Sequence, residues 1–275
     1  MTQRSVPLVI AVLLLGVPVV ASIGYLGVGA FGGTDVGGVA GFARVAHDPT
    51  VLRSAMLSLW IATAGTAVAL SVALVIALML NGDSRVDRIV RRIAVLPLPV
   101  PTVAATVAVL LLLSQSGWLS RLALRLHMVA TPAGFPALVY DSWAIGVVLA
   151  VVWKEMPFLL LVALSLQSLR GSVLADTART LGASPGQVVR RVTLPLLLRG
   201  MAPSIIAVFV FVLGSLELPL VLGPSSPLAL PQLIQERRQA LDVVSHSDAY
   251  AIGLLATALA VFAALAHEWL RGDSA

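Results

Sequence analysis

A chain of 275 residues with 59% apolar and only 11% charged side chains has under half the ~25% charge of a soluble domain, too little polar surface to cover a globule in water. Its formal charge of +5 comes from arginines at the ends of apolar runs and not from one basic stripe, which points to membrane topology and away from nucleic acid. The absence of cysteine excludes disulfides, thiolate metal sites and cysteine nucleophiles, and the four histidines, His47, His127, His246 and His267, lack ligand spacing, so no metal site is expected.

A bilayer core of ~30 Å takes about 20 apolar residues in a helix, and six stretches qualify: approximately 6–29, 54–80, 94–114, 142–168, 201–222 and 249–270. The first follows Arg4 as the apolar part of a signal peptide would. Its run is longer than such a segment and five further spans follow, so it is expected to be retained. The Gly-rich stretch from Phe31 to Pro49 reads as an irregular loop. Loop 81–93 carries Arg85, Arg88, Arg91 and Arg92, and Pro97, Pro99 and Pro101 open the third span. Trp118 to Met128, and later Leu230 to Val244, set apolar residues at helical spacing beside arginine, as interfacial helices do. They either cap the bundle or form part of a docking surface for an extracytoplasmic partner.

The fourth span contains Lys154, Glu155 and Pro157, and the fifth contains Glu217, two residues before Pro219. A lone charge at mid-membrane costs about 2.5 to 3.5 kcal/mol, so these side chains should face protein or water. One reading pairs Lys154 with a carboxylate such as Glu217 to hold helices together. The other puts Lys154, Glu155 and Glu217 on the translocation path, where carboxylates suit a cationic solute. The prolines of the third and fourth spans bend or free those helices, which gives shape or a gate.

Positive charge sets the orientation, because cytoplasmic loops carry the Lys/Arg excess. One alternating set of loops holds Arg4, Arg85, Arg88, Arg91, Arg92, Arg170, Arg179, Arg190, Arg191, Arg199 and Arg271. The other holds Arg44, Arg53, Arg121, Arg125, Arg237 and Arg238. Both termini and loops 81–93 and 170–200 are therefore expected in the cytoplasm. With no appended soluble stretch, residues 1–275 read as a single transmembrane domain.

The loop between the fourth and fifth spans specifies two short helices. Ser172 is a candidate N-cap for a helix whose Leu174, Ala178 and Leu181 share one face. Gly182 ends it in a left-handed conformation. Ser184 and Pro185 form a cap and first-turn signal for a second helix through Val188, Val189 and Val192, which Pro195 is expected to interrupt. Two amphipathic helices on one side of a bundle make a knob that a soluble partner can grip.

Here the chain resembles the type I ABC importer permeases, whose cytoplasmic EAA loop reads EAA, three residues, Gly, nine residues, Ile, one residue, Leu-Pro. Asp176, Thr177 and Ala178, then Gly182, then Val192, Leu194 and Pro195 keep both gaps, with Asp for Glu, Thr for Ala and Val for Ile. Trp153 to Phe158 is similar to a tryptophan and Pro-Phe pattern before this loop. Leu216 to Ile234 resembles the polyamine, phosphonate and iron importer group more than the sugar group.

The resemblance implies an all-α polytopic permease fold with six transmembrane helices, inserted in the bacterial inner membrane. It implies contact with an ATPase near Ala175 to Gln187, with Asp176, Thr177, Ala178, Gly182, Ala183, Ser184, Pro185, Val192, Leu194 and Pro195 forming the coupling loop. Its partners would be a second permease subunit, identical or not, two ATP-binding subunits and an extracytoplasmic solute-binding protein. The chain has no GxxxxGK[ST] loop, so ATP and magnesium are expected on the partner ATPase and no cofactor or enzymatic activity on this chain. The rival readings are an ion-coupled secondary transporter or channel using Lys154, Glu155 and Glu217, and an intramembrane enzyme, for which no paired catalytic set is present.

Overall fold

The computed structural model describes residues 5–31, 38–80, 84–168 and 172–272. Arg4 and Arg170 lie outside them. The regular structure of the described residues is all helical: α1 (Ser5–Phe31), α2 (Val39–His47), α3 (Pro49–Met79), α4 (Arg85–Val95), α5 (Thr102–Leu113), α6 (Trp118–Arg125), α7 (Ile145–Leu166), α8 (Ser172–Thr180), α9 (Pro185–Val188), α10 (Leu194–Leu213), α11 (Glu217–Leu222), α12 (Leu230–Gln239) and α13 (Val243–Gly272). Six segments among them are long and apolar enough to cross a membrane: Val12–Phe31, Pro49–Met79, Thr102–Arg125, Ile145–Leu166, Pro185–Leu213 and Val243–Ala263.

The centre of the bundle is the pair α3 and α7. Small residues recur along α3 at Ala62, Gly65, Ala69, Ala73 and Ala77, the spacing that lets two helix backbones approach in lipid, where packing rather than water exclusion drives association. A Cβ on Gly65 would lie 2.6 Å from Cγ1 of Val151, so the crossing tolerates no side chain there. Trp60 donates to the carbonyl of Trp143 at 2.8 Å and Gln167 donates to that of Ala77 at 3.2 Å. With Gly65 against Val151 between them, the two helices run parallel and in register. The core is completed by α5, α10 and α11, with Val109, Leu197, Met201, Leu218 and Leu222 buried. Helix α1 packs chiefly on α13, where Gly29 makes room for the Tyr250 ring.

Three expectations need correction. The stretch expected to be irregular between Phe31 and Pro49 contains α2, whose Val45 is buried; the surrounding glycines hid an amphipathic nine-residue helix. The second span starts at Pro49, with Asp48 as N-cap accepting from Thr50 N–H and Pro49 in the first turn. The third span is not one continuous helix from residue 94. Pro97, Pro99 and Pro101 lie in a turn between α4 and α5, because three prolines in five residues remove too many N–H donors for a helix to continue.

The segment expected at Leu230 to Val244 is two elements, α12 and the start of α13. Leu230 and Leu233 of α12 are buried against Val45, Val51 and Ile252, so this segment caps the bundle. An ion network ties the same end together. Arg44 bonds Asp248 at 2.8 Å, and Arg237 bridges Asp248 at 3.5 Å and Asp48, the cap of α3. Burial alone would raise the Asp48 pKa, but the bonds from Arg237 and Thr50 outweigh it and hold the carboxyl below its ordinary value of 3.8. A carboxylate with a lowered folded pKa adds stability that is complete above its unfolded value and vanishes as pH falls through the folded one. The wild type should therefore exceed Asp48→Asn by about 1 kcal/mol near neutral pH, and the gap in thermal unfolding should close below pH 3.8.

Candidate functional site

The expected knob is present, and its turns are built by the residues that predicted them. Helix α8 ends in a double hydrogen-bond closure: Gly182 N–H donates to Arg179 C=O at 2.9 Å and Ala183 N–H to Ala178 C=O at 3.0 Å. This Schellman arrangement requires a left-handed residue at Gly182, whose φ is +87°. Two residues on, Ser184 accepts from Gln187 N–H at 3.4 Å while the Gln187 side chain accepts from Ser184 N–H at 2.9 Å, a reciprocal capping box with Pro185 behind it. Ser172 is the first described residue of the segment and lies inside α8.

The knob stands clear of the bundle. Asp176 and Thr177 are exposed, Asp176 pairs with Arg179 at 3.0 Å along the helix, and Leu181 is 83% exposed. Val173 and Leu174 are also open, so the apolar face of α8 has no cover among the described residues. Pro195 does not interrupt the second helix. A π-helical turn, Val189–Thr193, joins α9 to α10 without a break, and Leu194 N–H reaches back to Val189 C=O. The widened turn absorbs the proline, which lacks a donor and would otherwise crowd the carbonyl four residues earlier. Val192, Leu194 and Pro195 are half-buried there, and Leu197 and Met201 one and two turns on are buried in the core. Any displacement of the knob thus enters the core through one continuous helix.

The three charged residues of the spans have different surroundings. Lys154 has no carboxylate partner among the ion pairs of the described residues. Its ammonium donates to three main-chain carbonyls, Val100 at 2.6 Å, Leu98 at 3.1 Å and Pro97 at 3.3 Å. The match is chemical: the proline-rich turn has acceptors without local donors, and a lysine carries three donors and no acceptor. Proline spacing together with a single lysine in the chain was the available signal, but the sequence does not pair them.

Glu155 is half-buried beside Lys154. Glu217 is not inside a helix span as expected. Helix α10 stops at Leu213, residues 214–216 break the helix, and Glu217 opens α11 with an exposed side chain. No group of three metal-ligating side chains occurs among the described residues.

Comparison with known proteins agrees with this architecture. Two solved structures share the fold: a bacterial ABC transporter involved in the import of the acidic polysaccharide alginate, 21% identical with a TM-score of 0.72 over 98% of this chain and 93% of that one, and a bacterial alginate ABC transporter in complex with alginate pentasaccharide-bound periplasmic protein, 18% identical with a TM-score of 0.70 over 95% and 90%. The molybdenum transport system permease proteins ModB of Mycobacterium bovis and Mycobacterium tuberculosis are each 30% identical over 174 residues, which is 63% of this chain. The match spans 62% of the length of those relatives. Residues 65–271, about three quarters of the chain, match the family described as the binding-protein-dependent transport system inner membrane component, and this protein belongs to that family.

Proposed function

We propose that this chain is the membrane-spanning permease subunit of an ATP-driven importer, that it forms half of the solute pathway, and that a separate ATPase drives it by gripping residues 170–200. The observation that carries the reading is the exposed α8–α9 knob, rigidly closed by Gly182 and Ser184 and continuous with α10. An ATPase pair that closes on nucleotide would move the knob, and α10 would carry the motion to α3 and α7, converting a state open to one side into a state open to the other. In this reading the knob is cytoplasmic, as the arginine distribution requires. A second permease subunit, two ATP-binding subunits and an extracytoplasmic solute-binding protein complete the assembly, and ATP with magnesium is held by the ATPase.

The test is co-purification. Gly182→Asp places a branched side chain at φ +87° and a charge on the knob; it should release the ATPase while the six spans remain inserted, and deletion of 176–186 should do the same. An ATPase that still co-purifies with the deletion, or cargo movement by the isolated chain on an ion gradient without ATP, would sink the reading.

For the solute we propose an oxyanion of the molybdate kind, supported by the curated relatives. A cationic cargo is the second reading, favoured by Glu155 and the exposed Glu217. Glu155→Gln and Glu217→Gln separate the two: uptake of a cation should fall at least several-fold when a path-lining carboxylate is lost, whereas uptake of an oxyanion should hold or rise.

A further inference from the structure

Helix α4 has no role in the coupling reading, and its position can be fixed from contacts elsewhere. The end of α3 lies beside the end of α7, where Gln167 meets Ala77. The turn after α4 is held to Lys154, thirteen residues back along α7, which is about 20 Å at 1.5 Å per residue. Among the residues that join those two levels, the eleven of α4 form a helix about 16 Å long, whose Ala94 packs on the core. Helix α4 therefore climbs steeply, and with α5 it makes one crossing broken at mid-depth.

That half-crossing has three sides. Val90 is half-buried and Ala94 packs on the core. Ile89 and Ile93 are 55% and 59% exposed. Arg85, Arg88 and Arg92 fall within a sector of about 60° at 100° per residue, turned away from this chain's own bundle, and all three are exposed. Among the described residues none of them forms an ion pair. Isoleucines can face hydrocarbon. Guanidinium groups at span depth must face water or protein, and Arg92 lies two turns into the helix.

The geometry points to Arg85, Arg88 and Arg92 as an anion-attracting stripe on the wall of a water-filled vestibule that opens at the knob end, its ligand a small inorganic oxyanion in transit. The inference rests on the proposed transport role and deepens it. A stripe facing away from its own bundle belongs where a second half of the pathway stands, and a row of one sign in a low-dielectric cleft concentrates counter-ions.

Because the chain has no cysteine, one introduced thiol reports alone. In the full-length chain in vesicles, Arg88→Cys should react from the knob side with an anionic methanethiosulfonate about tenfold faster, relative to its cationic analogue, than a cysteine at Leu181 on the knob. Sodium molybdate should slow the reaction, and Ile93→Cys should not react. Adding Arg85→Gln and Arg92→Gln should erase the anionic preference; Arg92→Cys with Arg85 and Arg88 intact gives the same comparison if a variant fails to insert. An unreactive Arg88→Cys and Arg92→Cys, equal rates for the two reagents, or protection that appears only with the ATPase added would overturn the stripe. Labelling needs neither ATP nor transport, so that failure is distinct from failure of the co-purification.

Discussion

Lys154→Glu is expected to prevent the bundle from assembling stably, with a loss on the order of 4 kcal/mol, and Lys154→Met a loss on the order of 2 kcal/mol. Pro97 C=O also accepts from Val100 N–H at 3.2 Å, so methionine removes the ammonium donor chiefly from two carbonyls, those of Leu98 and Val100. Each such bond to a charged group is worth about 1.5 to 3 kcal/mol. Part of that is offset because methionine no longer requires an ammonium to sit at mid-membrane. Glutamate has no such offset: it puts an acceptor and a negative charge against acceptors, the situation in which a buried charge is left uncompensated. Thermal unfolding of the purified chain in detergent checks both. Unchanged melting for Lys154→Glu would mean that the three carbonyl bonds contribute nothing.

Gly65→Leu should be as damaging for a different reason. Its Cβ alone would sit 2.6 Å from Val151 Cγ1 and 3.1 Å from Val151 Cβ, and neither atom is the end of a flexible chain. The parallel pair α3 and α7 would have to separate, and overpacking of this kind costs about 1 to 3 kcal/mol even where the neighbours can shift. Here the register contacts from Trp60 to Gln167 are strained as well, so a loss above about 3 kcal/mol is expected. Pairing Gly65→Leu with Val151→Gly should restore much of it. A melting point as low for the double variant as for the single one would show that Val151 is not the obstacle.

Features written in local chemistry were legible in the sequence. Six apolar runs gave six crossings because hydrocarbon thickness fixes helix length. Gly182 and the Ser184–Pro185 pair gave the knob because caps act over three or four residues. The misses depend on partners far along the chain or on context stronger than local rule. Pro195 reads as a stop, but the π turn upstream lets the helix pass. Helix α4 was hidden in a loop by its arginines, although Ser84 caps it through Asp87 N–H at 3.0 Å. Lys154 reads as a residue in search of a carboxylate, and its partners are carbonyls 54 to 57 positions earlier. Glu217 reads as buried because its neighbours are apolar, and the helix break at 214–216 brings it out.

The peripheral seat of α1 bears on how load is shared. It leans on α13 through Gly29 and Tyr250 and has little purchase on α3, α7 or α10. In the proposed coupling, torque applied at the knob would therefore bypass it, and the first helix would ride along as an outrigger while the inner helices bear the stroke.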